Sequence, residues 1–130
     1  MSSTSHEAIA QRLTAAIADG NVDELGRLYA ENAIIWHSSD EVELTLEQLK
    51  DIVRAIDQVA TATVDVTARH PLADGFLQTQ INTYSLKSGD TIRFHAALVV
   101  KLNHEGLIVR ADEYLDGNRL APLLQALEPK

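Results

Sequence analysis

Two side chains in this 130-residue chain have the types and settings that proton transfer needs, Glu113 and His37. Glu113 lies in "LIVRADEYLDG", residues 107–117, which begins as a plain strand. Successive strand side chains point to opposite faces, so one face carries Leu107, Val109, Ala111, Glu113 and Leu115. The other carries Ile108, Arg110, Asp112, Tyr114 and Asp116, where Asp112 can pair with Arg110 and Tyr114 can keep its hydroxyl wet. Glu113 is the single polar group on an apolar face. Burial disfavours the charged form of a carboxyl group, which suits it to proton transfer near neutral pH. The plainer alternative is a strand-end residue that bends out into solvent. His37 closes "NAIIWH", and an imidazole with an ordinary pKa of about 6.5 is a ready general base. It fits equally well as a strand cap bonded to the "SSD" that follows.

Polar groups that could orient a ligand lie in "GFLQTQINTYSL". Either Gln78, Gln80, Asn82 and Tyr84 point inward, or Thr79, Ile81 and Thr83 do. Trp36, Phe94 and Leu98 are the apolar candidates for substrate contact, although Trp36 and Phe94 also suit core packing. His95 shares a face with Thr91, Arg93 and Lys101, opposite Ile92, Phe94, Ala96, Leu98 and Val100, and so belongs to an outer surface. His70, before Pro71, and His104, in a turn, read as loop residues. Histidines spread over separate elements do not mark a metal site. There is no glycine-rich phosphate loop, nucleophile elbow or helical histidine pair.

The elements that must position these residues run helix, helix, strand, helix, then four long strands and a closing helix. Thr4 and Glu7 have capping-box spacing, and Ile9, Leu13, Ala16 and Ile17 recur at helical intervals. "DGN" at 19–21 ends that helix, and a shorter one follows with Val22, Leu25, Leu28 and Tyr29 on one side. "NAIIWH" is a short strand and "SSDEVEL" a polar loop. Thr45 and Gln48 open a helix with a stripe of Leu49, Ile52, Val53 and Ile56. "VATATVDVTARH", "GFLQTQINTYSL", "TIRFHAALVVKL" and "LIVRADEYLD" are strands joined by turns such as "KSGD" and "NHEG", the pattern of an antiparallel meander. Leu120, Leu123, Leu124 and Leu127 mark the last helix. Helices at one end and strands at the other imply an α+β fold, with helices packed on one face of a strongly curved antiparallel sheet and a conical cavity between the layers.

The composition, with 11 basic and 19 acidic residues and a formal charge of -8, is that of a globular protein with no basic stripe for nucleic acid. There is no cysteine, which fits a reducing cytoplasm. "MSSTSHEAIAQ" lacks the basic region and apolar core expected of a signal peptide, and no apolar run is long enough for a bilayer. Residues 1–130 are expected to form one domain.

The order of elements, "ENAIIWH" after two helices and the closing "EYLD" resemble the nuclear transport factor 2-like (cystatin-like) superfamily. Within it the chain is most similar to the ketosteroid isomerase-like and SnoaL-like polyketide cyclase branch, from about residue 6 to 125. The resemblance implies a deep pocket, no metal or other cofactor, and frequent dimerisation through the outer sheet face, here Arg93, His95, Val99, Arg110 and Tyr114. In ketosteroid isomerases the general base is an aspartate at the end of the first strand, where this chain has His37. Their oxyanion hole uses a tyrosine of the first helix, absent here, and a protonated aspartate near the position of Leu98. Limonene epoxide hydrolases place a carboxylate at the position of Glu113, and an arginine and aspartate on the strand that here carries Gln80 and Asn82.

Two functions are therefore expected to compete. One is a cofactor-independent acid–base enzyme (isomerase, cyclase, dehydratase or hydrolase) on a small hydrophobic organic molecule. His37 and Glu113 would then move protons while Gln80 and Asn82 hold a carbonyl, hydroxyl or water. The other is a non-catalytic ligand-binding or dimerisation domain.

Overall fold

The computed structural model describes residues 3–128. Helices α1 (Ser3–Asp19) and α2 (Val22–Leu28) lead into strand β1 (Tyr29–His37) and the short β2 (Val42–Leu44). Helix α3 (Leu46–Val59) precedes the long strands β3 (Ala60–Leu72), β4 (Gly75–Leu86) and β5 (Thr91–Leu102), then β6 (Ile108–Leu115). A 3-10 turn (Gly117–Leu120) opens α4 (Ala121–Leu127). The six strands form one open sheet in the order β2-β1-β6-β5-β4-β3. The meander of four strands is present as the turn sequences imply, with β3, β4, β5 and β6 antiparallel in sequence order. β1 joins it parallel to β6. The fold is α+β.

Local chemistry explains most boundaries. Gly20 takes φ +68°, a left-handed conformation that stops α1, and Asn21 then caps α2 by accepting from the Glu24 amide at 3.1 Å. At α3 the capping box is complete: Thr45 Oγ1 accepts from Gln48 N at 3.2 Å and Gln48 Oε1 from Thr45 N at 2.9 Å. The Thr4 side chain, expected to cap α1, lies outside the described residues. "SSDEVEL" is not wholly a loop, since Val42–Leu44 pairs antiparallel with β1. Three residues are too few to show an alternation, and Glu43 stays polar because it meets Arg110 at 3.1 Å. Tyr29 belongs to β1 rather than to the second helix, and β3 runs on through His70 and Pro71 because it is an edge strand, where a missing amide donor is tolerated.

The helices cover one sheet face. Ile9, Leu13 and Ala16 of α1 and Leu25 and Leu28 of α2 meet Phe76, Val100, Leu102 and Ile108 of the strands. A second cluster joins Ala60, Leu86, Ile92, Phe94 and Ala96 to Leu123 of α4. Leu124, expected on the same stripe, is exposed. Each large aliphatic side chain so buried contributes about 1.5–3 kcal/mol. Among the described residues no helix is long and apolar enough to cross a membrane.

Two bulges re-aim side chains. In β6, Lys101 pairs with Arg110 and Leu102 with Ile108, leaving Val109 as an extra residue. The alternation therefore reverses there: Ile108 is fully buried, and the inward face reads Ile108, Ala111, Glu113 instead of Leu107, Val109, Ala111, Glu113. In β3, Val66 pairs with Gln80 and Ala68 with Thr79, so Thr67 is extra and Arg69 comes to lie opposite Gln78. Bulges also bend their strands, and these help curve the sheet.

Gly75 begins β4, paired with Lys101 of β5. A Cβ there would overlap the Val100 carbonyl oxygen, a backbone atom that cannot swing aside. Gly75→Ala is expected to lower stability by about 2 kcal/mol, read as a lower denaturation midpoint with an unchanged slope.

Candidate active site

The centre of the site follows from strand register. In the parallel ladder of β1 and β6, His37 lies opposite Glu113, so the two side chains leave the sheet on the same face. His37 Nε2 is 3.2 Å from Glu113 Oε1. Ser38 locks the two strand ends together: its amide donates to the Glu113 carbonyl at 2.9 Å, and its Oγ accepts from the Leu115 amide at 2.9 Å.

The pair faces a cavity of about 130 Å³ between helices and sheet. Its walls are mainly apolar, from Leu13 and Ile17 of α1, Leu49, Val53 and Ile56 of α3, and Leu98 of β5. Polar atoms enter from Thr14, Tyr29, His37, Gln78, Gln80, Asn82, Tyr84 and Glu113, with Asp57 on the wall formed by α3. Gln78, Gln80 and Asn82 are all buried, so this row of β4 faces inward and Thr79, Ile81 and Thr83 do not line the cavity.

The row is joined end to end. Gln78 Nε2 donates to Gln80 Oε1 at 2.6 Å, Gln80 Nε2 to Asn82 Oδ1 at 2.8 Å, and Asn82 Nδ2 to Glu113 Oε2 at 3.4 Å. At the other end Arg69 Nε donates to Gln78 Oε1 at 2.6 Å. The amides thus supply one oxygen of Glu113 with a donor while His37 faces the other.

Electrostatics at the centre are a contest. Burial opposes a charged His37, but its hydrogen bond to the Glu113 carboxylate and the charges of Glu113 and Asp40 outweigh it, leaving the imidazole pKa above its ordinary 6.5. Burial first, and the Glu113 charge second, push both cavity phenols up, Tyr84 to about 12 and Tyr29 further. Both hydroxyls therefore stay protonated across the neutral range and are available as donors.

The structure brings together His37, Glu113, Gln80, Asn82 and Leu98. It separates two other candidates from them. Trp36 stands between Ile35 and His37, which both line the cavity, so parity sends its ring to the outer face. There it packs edge-on against Tyr114 with centroids 5.3 Å apart. Phe94 is buried in the second apolar cluster, stacked on Tyr84 at 6.0 Å, and does not reach the cavity wall. Thr14, Tyr29 and Arg69 were not anticipated. Thr14 is set on the cavity side of α1 by its spacing from Leu13 and Ile17, the one signal available. His95 is exposed and Asp112 pairs with Arg110 at 2.9 Å on the outer face. Among the described residues no three His, Asp or Glu side chains stand close enough to hold a metal ion.

A family model for the SnoaL-like domain matches residues 10–111. The chain belongs to the SnoaL-like family. No curated protein matches it in sequence. Solved structures share the SnoaL-like fold at low identity. PrhC from Penicillium brasilianum NBRC 6234 superposes with a TM-score of 0.83 at 11% identity, covering 95% of this chain and 88% of that one. An LEH-like epoxide hydrolase from M. tuberculosis gives 0.78 at 12%, covering 95% and 92%. A protein with a ketosteroid isomerase-like fold from Catenulispora acidiphila DSM 44928, in complex with trimethylamine, gives 0.72 at 18%, covering 82% and 83%. These likenesses establish the nuclear transport factor 2-like fold of this SnoaL-like chain and leave its chemistry to its own residues.

Proposed function

We propose that this SnoaL-like protein is a cofactor-independent acid–base enzyme acting on a small, mostly hydrophobic molecule that carries a carbonyl, hydroxyl or epoxide oxygen. The observation that carries this reading is the contact of 3.2 Å between His37 and Glu113 at the wall of an otherwise apolar cavity. An apolar cavity with a few convergent polar groups is the usual form of a small-molecule site.

In this reading neutral His37 takes a proton from a substrate carbon or from water. Glu113 holds the ring in place and stabilises the imidazolium that forms. The negative charge that develops on the substrate oxygen is met by the Tyr29 and Tyr84 hydroxyls, which take over the donor role that Leu98 cannot fill. His37 then returns the proton at another atom, completing an isomerisation, cyclisation, elimination or ring opening. A raised imidazole pKa strengthens His37 as a base.

The test is turnover of small hydrophobic epoxides and enolisable ketones, followed by product formation and by deuterium uptake at the α-carbon in D2O. Turnover by the wild type that disappears in both His37→Gln and Glu113→Gln supports the reading. Turnover that survives both substitutions, or binding in the cavity with no chemistry on any of these substrates, favours a non-catalytic ligand-binding domain.

A cytoplasmic homodimer is part of the same proposal. Arg93, His95 and Tyr114 are exposed on the outer sheet face, where Trp36 and Tyr114 form an aromatic pair. Sedimentation at micromolar concentration is expected to give a dimer that Tyr114→Glu dissociates. A wild-type monomer would contradict the assignment.

A further inference from the structure

The amide row has a direction, and Arg69 sets it. A guanidinium has only donors, so the Gln78 atom that faces Arg69 Nε at 2.6 Å has to be the carbonyl oxygen. That choice aims the Gln78 NH₂ at Gln80, which in turn aims the Gln80 NH₂ at Asn82 and the Asn82 NH₂ at Glu113. An ionised carboxylate only accepts, so the row runs from a donor-only cation to an acceptor-only anion with no ambiguous junction. Thr14 agrees with this direction. Its hydroxyl donates to the Ala10 carbonyl at 2.9 Å, leaving its lone pairs for Gln78 Nε2 at 3.1 Å and Arg69 Nη2 at 3.3 Å.

The backbone is shaped to the same end. Along β3 the exposed side chains Thr61, Thr63 and Asp65 alternate outward, and unbroken alternation would put Arg69 outside with them. The bulge at Thr67 reverses the count and places Arg69 opposite Gln78, with its side chain 17% exposed. Glu7 of α1 holds its far side at 2.9 Å. A bulge that re-aims one side chain beside a site is a common functional use of the irregularity.

We infer that Arg69 is a positioning residue for the His37–Glu113 pair: through the polarity it imposes on three buried amides, it ensures that Asn82 donates to Glu113 rather than presenting its carbonyl. Without it the three amides can invert together, and the Asn82 oxygen would then repel the carboxylate that orients His37. The proposal rests on the acid–base reading for its catalytic consequence, but the polarity itself does not depend on that reading.

The experiment compares side-chain amide NMR signals and turnover in Arg69→Lys, Arg69→Gln and Gln78→Met. Lysine keeps the donor-only cation and glutamine keeps neither property, so loss of the donor-only cation is separated from simple truncation of the side chain. The wild type and Arg69→Lys are expected to show a single downfield-shifted Asn82 NH₂ pair, the mark of donation to a carboxylate. Arg69→Gln is expected to move that pair upfield or split it, and Gln78→Met, which removes the link from Arg69 to the row while leaving the Arg69 side chain in place, to do the same. In the turnover assay Arg69→Gln lowers kcat about tenfold with little change in KM, and lysine recovers most of the loss. An Asn82 signal unchanged in both Arg69→Gln and Gln78→Met overturns the inference. The expected spectra without turnover in any form would uphold the polarity and overturn the catalytic reading instead.

Discussion

Gln80→Leu is expected to destabilise the protein by roughly 2–3 kcal/mol, although leucine is close in size and the site is buried. The reason lies in the partners left behind. Gln80 accepts from Gln78 at 2.6 Å and donates to Asn82 at 2.8 Å, and both neighbours are buried. Removing the middle amide leaves the Asn82 carbonyl with no donor and the Gln78 NH₂ with Thr14 alone. A buried polar group without a partner costs more than a hydrogen bond contributes, because water cannot replace what was lost. At roughly 3–6 °C per kcal/mol for a domain of this size, the midpoint should fall by about 6–18 °C in a thermal melt. The matched control is Thr79→Val on the opposite face of the same strand. Its hydroxyl meets Thr67 in an exposed pair, and the change should stay within about 0.5 kcal/mol. If the two variants melted together, the row would not be the connected network described above.

Glu113→Gln should have the largest effect on chemistry. Glutamine keeps the shape but not the charge, so the two contributions that raise the His37 pKa through Glu113 vanish while burial remains. The His37 pKa is therefore expected to drop from above 6.5 to below it, measured by NMR of the imidazole. Turnover should fall by roughly a hundredfold to ten-thousandfold, the scale of a lost acid–base partnership. Stability follows with a definite sign. Because the folded His37 pKa is raised, its pairing with Glu113 stabilises fully below the unfolded value and the gain is lost as pH rises through the folded value. The variant should thus lie further below the wild type near pH 5.5 than near pH 9, in denaturant melts at the two values. The opposite order would mean that His37 is not charged against Glu113.

Much of this arrangement is legible in the residues because its signals are local. β4 and β5 are bracketed by turn sequences, and their strands run as read, Gly75–Leu86 and Thr91–Leu102. The Thr45 cap closes on Gln48 as its spacing implies. Glu113 stands out because one carboxylate on an apolar face is visible to alternation alone. Other features depend on the alternation being broken. A single extra residue at Val109 exchanges Ile108 for its neighbours on the inner face, and another at Thr67 brings Arg69 inside, yet neither bulge has a glycine or proline to announce it. Trp36 fails for a simpler reason, since neighbours on a strand cannot both face the cavity and His37 does. Tyr29 is hidden because it continues the apolar side of α2 while already belonging to β1. The parallel pairing of β1 with β6, which sets His37 beside Glu113, joins residues 76 positions apart and has no local signature.

The most direct measurement is a crystal structure of the protein soaked with cyclohexanone. The account predicts the ketone inside the cavity, its oxygen within about 3.2 Å of the Tyr29 or Tyr84 hydroxyl and its ring against Leu98, with Glu113 still held between His37 and Asn82. A ketone bound elsewhere, with Glu113 turned to solvent and His37 bonded to the 38–40 turn, would contradict it.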